Sequence, residues 1–148
     1  MTAVRDDFIK MTATEAVARL RSKEVSPLDL VEASIRRIET IDTEVNALPI
    51  HCFDQARDQA KTLDLERHTA NPKSLCGLPI AVKDYNDLGG VITTYGSPIF
   101  ANNVAQKSDA TVRKLQSNGA IAVAKSNVPE WAGGHTFNPV NGLTRNPW

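Results

Sequence analysis

Two lysines stand where short apolar runs stop. Lys83 and Asp84 follow Gly77-Leu78-Pro79-Ile80-Ala81-Val82, and Lys125 follows Ala120-Ile121-Ala122-Val123-Ala124. A short apolar run bounded by turn residues reads as a covered strand of an α/β protein. A lysine at the end of such a strand has two readings: a solvated charge, or an amine held where a sheet meets an active site and able to act as a base. Spacing does not choose between them. A free lysine has a pKa near ~10.4, so only about one in 2,500 is neutral at pH 7. Depressing such a pKa by about 3 units costs roughly 4 kcal/mol, which a fold must supply.

No other residues assemble a familiar site. His51, His68 and His135 are far apart and fit no H-x-x-x-H or H-E-x-x-H spacing, so neither a metal nor a cofactor is expected. The glycine pairs match neither phosphate-binding pattern. None of the eight serines (22, 26, 34, 74, 97, 108, 117 and 126) sits in a G-x-S-x-G elbow or an S-x-x-K. His51 and Cys52 are adjacent, and neighbours on a strand point to opposite faces, which disfavours a dyad.

The 148 residues suffice for one compact core, and 41% hydrophobic with 23% charged content is ordinary for a globular chain. Seventeen basic and seventeen acidic residues cancel, which argues against nucleic acid or anionic membrane as a partner. Two cysteines far apart, no apolar leader and no membrane-length run suggest a soluble, cytoplasmic protein.

The elements that must position the lysines can be laid out in order. Thr12 and Glu15 have capping-box spacing and open a first helix with Ala16, Val17 and Leu20 inward. Ser26, Pro27 and Asp29 open a second, whose Leu28, Val31, Ile35 and Ile38 share one face. A brief strand is expected near Ala47–Ile50. A third helix is expected from about Asp54 to Leu65 with Ala56, Ala60 and Leu63 inside, then a polar surface loop over Glu66–Ser74. After the Leu78–Val82 strand, Val91–Pro98 reads as a short strand or extended loop. Ser108-Asp109 cap a helix of about ten residues with Val112 and Leu115 inward and Gly119 as its stop. Strand, crossover helix and strand imply parallel pairing. Asn127 and Glu130, in capping-box spacing, suggest a short helix before an irregular, Asn- and Gly-rich end.

Taken in order, these segments resemble one family. Gly77-Leu78-Pro79-Ile80-Ala81-Val82-Lys83-Asp84 is similar to the G-[IL]-P-[IV]-A-[VI]-K-D segment of the amidase signature family. Thr93-Thr94-x-Gly96-Ser97 follows, then Asp109-Ala110-Thr111-Val112, Leu115 and Gly119-Ala120. After these come Lys125-Ser126-Asn127-x-Pro129-Glu130-Trp131-Ala132 and Thr136-Phe137-Asn138-Pro139-x-x-Gly142-x-Thr144-x-Asn146-Pro147-Trp148. Asn141 departs from the pattern, standing where an aromatic is expected before the glycine.

The resemblance implies an α/β fold, the N-terminal part of the amidase signature fold, with a central mixed β-sheet flanked by helices. Residues 1–148 would form an N-terminal portion of one such domain, with 1–66 mainly helical and 75–148 the strand and helix core. It also implies a Ser–cis-Ser–Lys triad that hydrolyses a small-molecule amide through an acyl-serine, with Lys83 matching the lysine. Lys125 matches a structural part of the pattern and is expected to be solvated or ion-paired. Both serines and the oxyanion donors would follow the Asn-Pro-Trp segment, so the chain would carry one member of three and would be inactive alone. The expected partner is a C-terminal part or a further copy of the chain. Two alternatives remain: the glutaminase subunit of a tRNA-dependent amidotransferase, and a non-catalytic remnant or half of a split protein.

Overall fold

The computed structural model describes residues 6–148. After a 3-10 turn at Asp6–Lys10 come helices α1 (Ala13–Arg21) and α2 (Pro27–Val45). Both start as expected, from reciprocal capping boxes: Thr12 with Glu15, and Ser26 with Asp29. Helix α2 ends at Asn46, whose left-handed backbone (φ 56°) is one that asparagine tolerates. Strand β1 (Ile50–His51) and helix α3 (Phe53–Thr62) follow. The Glu66–Ser74 stretch is not all loop. Asp64 accepts a hydrogen bond from the Arg67 amide and caps a further helix, α4 (Leu65–Ala70). The loop beyond it is held by the Arg21 guanidinium, which donates to the carbonyls of Thr69, Asn71, Pro72 and Ser74.

Strands β2 (Pro79–Lys83) and β3 (Ile121–Ser126) pair in parallel across α5 (Ala110–Ser117), and β1 adds antiparallel to β3. The sheet is therefore mixed, in the order β1-β3-β2, with β2 at an edge. A hairpin of β4 (Phe137–Asn138) and β5 (Gly142–Leu143) follows. Helices α2 and α3 cover one sheet face: Val31, Ile35, Ile38, Ala56 and Ala60 pack on Ile121, Val123 and Ala124. Their shared surface also holds the Arg57–Glu32 ion pair at 2.7 Å, which lowers the Glu32 pKa. On the other face Val82 and Ala122 pack with Cys52, Leu88 and Val112. Leu115, expected inward, is 38% exposed, and Val112 is the buried residue of α5. The Val91–Pro98 stretch is a loop that makes one antiparallel bridge, Ile92 to Val104, turns at Tyr95-Gly96 and enters a 3-10 turn at Pro98–Phe100.

The register of β2 against β3 decides where both lysines go. Ile80 faces Ala122, but the next residue, Ala81, faces Ala124, so Val123 is an extra residue on β3. Such a bulge breaks the alternation of side chains. Val123 and Ala124 both join the α2–α3 core, and Lys125 is turned to the opposite face, beside Val82. Without the extra residue Lys125 would share a face with Ile121 and Val123.

Candidate active site

The first lysine lies where the apolar strand ends, but not buried. Lys83 and Ala81 are exposed, while Val82 between them and Asp84 beyond are buried. The expectation of a strand covered on both sides fails for β2, because α2 and α3 lie mainly over β3 and leave the Ala81–Lys83 face open. Among the described residues Lys83 has no ion-pair partner within 4.0 Å. It faces Ser126 across the parallel pair, and both line a cleft of about 680 Å³ with Asn127, Pro129, Ala132, His135, Thr136 and Thr144. The cleft thus holds one amine among hydroxyls, an amide and an imidazole. Of the histidines, only His135 shares it. His51 is exposed and stacked on Phe53, and His68 bonds Ser74 at 2.8 Å. Among the described residues no cluster of side chains could hold a metal ion.

The second lysine is wholly buried. Lys125 Nζ lies 3.0 Å from Asp84 Oδ1 and donates to Thr93 Oγ1, with both charged side chains at 0% exposure. Of the two expected states, solvated or ion-paired, the ion pair is the one observed. Asp84 completes its shell by accepting from the Thr94 amide at 3.0 Å and from the Thr94 hydroxyl. Burial lowers the Lys125 pKa, and the hydrogen bond and charge of Asp84 oppose that fall. The same burial pushes the nearby Cys52 thiol up to about 11, with Lys125 pulling the other way. Sequence spacing does not mark Asp84, Thr93 and Thr94 as partners of Lys125, because their pairing depends on the bulge at Val123.

The segment that follows Lys83 is held in place by backbone bonds. Asp84 N donates to Ser126 O, and Tyr95 N to Asp84 O, so the chain after Lys83 is stitched to the end of β3 and to the Thr94 segment. Gly96, with φ 67°, passes so close to this strand end that a Cβ there would lie 2.7 Å from Val128 O. Only glycine fits. Tyr95, Trp131 and Ala132 also adopt positive φ, and Tyr95 stacks on Trp131 at 5.6 Å with Phe100 edge-on. That backbone is held by packing and by the Trp131 N to Tyr95 O bond. Asn127 and Glu130 do not form the expected capping box. Pro129 occupies the cap of a 3-10 turn at Glu130–Ala132, and the Asn127 amide instead reaches Gly142 O and Thr144 Oγ1.

The far wall is tied down by asparagines. Buried Asn138 donates to Asn127 Oδ1 and Val128 O and accepts from the amides of Val140 and Asn141. Asn46, at the end of α2, donates to the carbonyls of Asn141 and Leu143. Asn141, at the position expected to be aromatic, serves the hairpin through its backbone.

A family model described as "Amidase" matches residues 29–148. The chain belongs to the amidase signature family. A curated relative, a glutamyl-tRNA(Gln) amidotransferase subunit from Desulfatibacillum aliphaticivorans, is 35% identical over 94% of this chain and 29% of its own length. The putative amidase AmiB2 of Mycobacterium bovis is 39% identical over 80% of this chain and 26% of its own. A solved structure from a vestigial protein complex connected with the origins of an s-triazine catabolic enzyme superposes with a TM-score of 0.82 at 32% identity. It covers 93% of this chain and 31% of that one. This amidase-family chain thus spans under a third of the lengths of these relatives, and its mixed sheet flanked by helices is the fold they share.

Proposed function

We propose that this chain supplies the lysine base of a serine amidase, one that converts a small carboxamide and water to a carboxylate and ammonia or an amine. Lys83 carries the reading: it is the amine that ends the motif strand, and it opens on the cleft rather than pairing with a carboxylate. In that role Lys83 takes a proton relayed from a nucleophilic serine, which attacks the carbonyl carbon. The amide C–N bond breaks, the proton goes to the leaving amine, and water then releases the acyl group. Lys125 is unsuited to this because its amine is enclosed and already bound to Asp84. The serines and oxyanion donors belong to a part of the fold that the resemblance sets after Trp148, so hydrolysis is a property of the assembled domain.

A chimera in which this chain replaces the matching quarter of mycobacterial AmiB2 tests the reading. Hydrolysis of simple amides should fall by about 10³-fold or more in Lys83→Met, the scale on which loss of a general base acts. Turnover that survives the substitution overturns the assignment. The glutaminase subunit of a tRNA-dependent amidotransferase is a second parent, favoured by a match to such a subunit over 94% of this chain. We rank it below the stand-alone amidases because Thr136-Phe137-Asn138-Pro139 is more similar to theirs.

A further inference from the structure

The cleft at Lys83 is larger than an amide group needs. Its volume of about 680 Å³ lies in the range of whole small-molecule sites, so it has room for a second group on the substrate. The nature of that group follows from which lining side chains are still free. Asn127 is spent on the wall: it donates to Gly142 O and Thr144 Oγ1 and accepts from the Val128 amide and from Asn138. Thr144 is spent as well, since it accepts from Asn127 and donates to Asn46 O at 2.7 Å. The side chains of Lys83, Ser126, His135 and Thr136 make no hydrogen bond among the described residues, and all four line the cleft. Lys83 and Ser126 face each other across the parallel strands, whereas His135 and Thr136 are neighbours on the exposed loop before β4. An amine, an imidazole and two hydroxyls can all donate, and no carboxylate lines the cleft.

We propose that His135 is a specificity-determining residue of this cleft, and that it selects carboxamides that carry a carboxylate elsewhere in the molecule. The inference rests on the reading of Lys83 as the base and adds the substrate class. With Lys83 committed to the proton, the His135–Thr136 pair is what remains to hold a second group. A carboxylate has acceptors only, and hydrogen bonds to an ionised acceptor are about twice as strong as neutral ones. A carboxylate also favours the charged form of an imidazole beside it. A substrate ammonium would meet no carboxylate here, which disfavours cationic and zwitterionic amides. His135 lies between the family segments that end at Ala132 and begin at Thr136, on a loop, where specificity is commonly set. The reaction then takes a half-amide and water to a dicarboxylate and ammonium: the C–N bond breaks and the acyl carbon gains the oxygen of water.

The 148-residue chain itself provides the binding test. Succinamate, its neutral diamide succinamide and the cationic 3-aminopropanamide are each titrated in, with the ring signals of His135 followed by NMR. Succinamate should shift those signals and bind about tenfold tighter than succinamide, the scale of one charge-assisted hydrogen bond. The cationic amide should bind more weakly than either. His135→Ala, at an exposed position, should remove the advantage of succinamate, and His135→Lys should restore it. Hydrolysis by the AmiB2 chimera gives the second arm. There His135→Ala should raise KM for succinamate about tenfold with kcat unchanged, and leave KM for succinamide as it was. Lys83→Met should instead abolish turnover of both amides. Turnover that survives Lys83→Met defeats the base reading and leaves the KM effect at His135 standing, so the two failures are distinguishable. The proposal is overturned by equal affinity for succinamate and succinamide, or by a preference for succinamate that survives His135→Ala. A preference that survives His135→Ala but vanishes in Lys83→Met would place the carboxylate on the lysine and overturn it too.

Discussion

Lys83, the last residue of β2, and Lys125, the last but one of β3, lie one register step apart on neighbouring parallel strands, yet they meet opposite fates. Lys125 is enclosed, paired with Asp84 and bonded to Thr93. Lys83 opens on a cleft with no carboxylate beside it among the residues that line it. The difference comes from one extra residue, Val123, which turns Lys125 to the inner face and leaves Lys83 on the outer one beside Ser126. A lysine at a strand end is therefore buried and paired, or open to a cleft, according to the face it lands on. The buried pair locks the strand end and the loop behind it, and the open amine stands on that fixed base.

Breaking the buried side should have the largest effect. Asp84→Ala leaves the Lys125 charge without its partner and should cost about 3–5 kcal/mol in urea unfolding, the range for a broken buried pair. Replacing both partners together, Asp84→Leu with Lys125→Met, should recover much of that loss. If Asp84→Ala costs less than about 1 kcal/mol, the pair is not what holds the strand end. The environment of the pair can also be read by pH. The folded Cys52 thiol keeps its proton up to about 11, whereas a free thiol ionises near 9.0. The unfolded state therefore loses its proton first, and this contribution is full below pH 9 and lost as pH rises to about 11. That difference corresponds to about 3 kcal/mol. Lys125 works in the opposite sense, since its lowered pKa makes the folded state shed its proton first and so adds stability as pH rises. Comparing wild type with Cys52→Ala across about pH 8–11 isolates the thiol: the gap in stability between the two should move in favour of the variant.

On the open side, effects should be smaller. Asn138→Ala removes donors to Asn127 and Val128 and an acceptor for two amides, and should cost about 2 kcal/mol in thermal or urea unfolding. Lys83→Ala should be smallest, within about 0.5 kcal/mol of wild type, because an exposed side chain without a partner carries little stability. A large loss there would mean that Lys83 is a structural residue like Lys125.

Much of the frame is legible in local chemistry. Thr12 with Glu15 and Ser26 with Asp29 mark helix starts through residues three apart, and Gly119 closes α5, so nothing distant is needed to see them. The parallel pair follows from strand length and crossover. What stays hidden depends on partners far along the chain. The cap at Asp64 is masked by the polar run after it. The contact between Asp84 and Lys125 spans 41 positions and needs a bulge that an unbroken apolar run does not announce. The exposure of Lys83 is hidden for a related reason: Ile80, Ala81 and Val82 are all apolar, so the run resembles a strand covered on both faces, although Ala81 faces outward.

The most direct measurement is turnover by the purified 148-residue chain on simple amides, compared with Lys83→Ala and Ser126→Ala. The proposal that Lys83 acts as a base only together with serines outside these 148 residues predicts no hydrolysis above background in any of the three. Robust hydrolysis that disappears with Lys83→Ala, and with Ser126→Ala if the neighbouring hydroxyl is the nucleophile, would contradict the account.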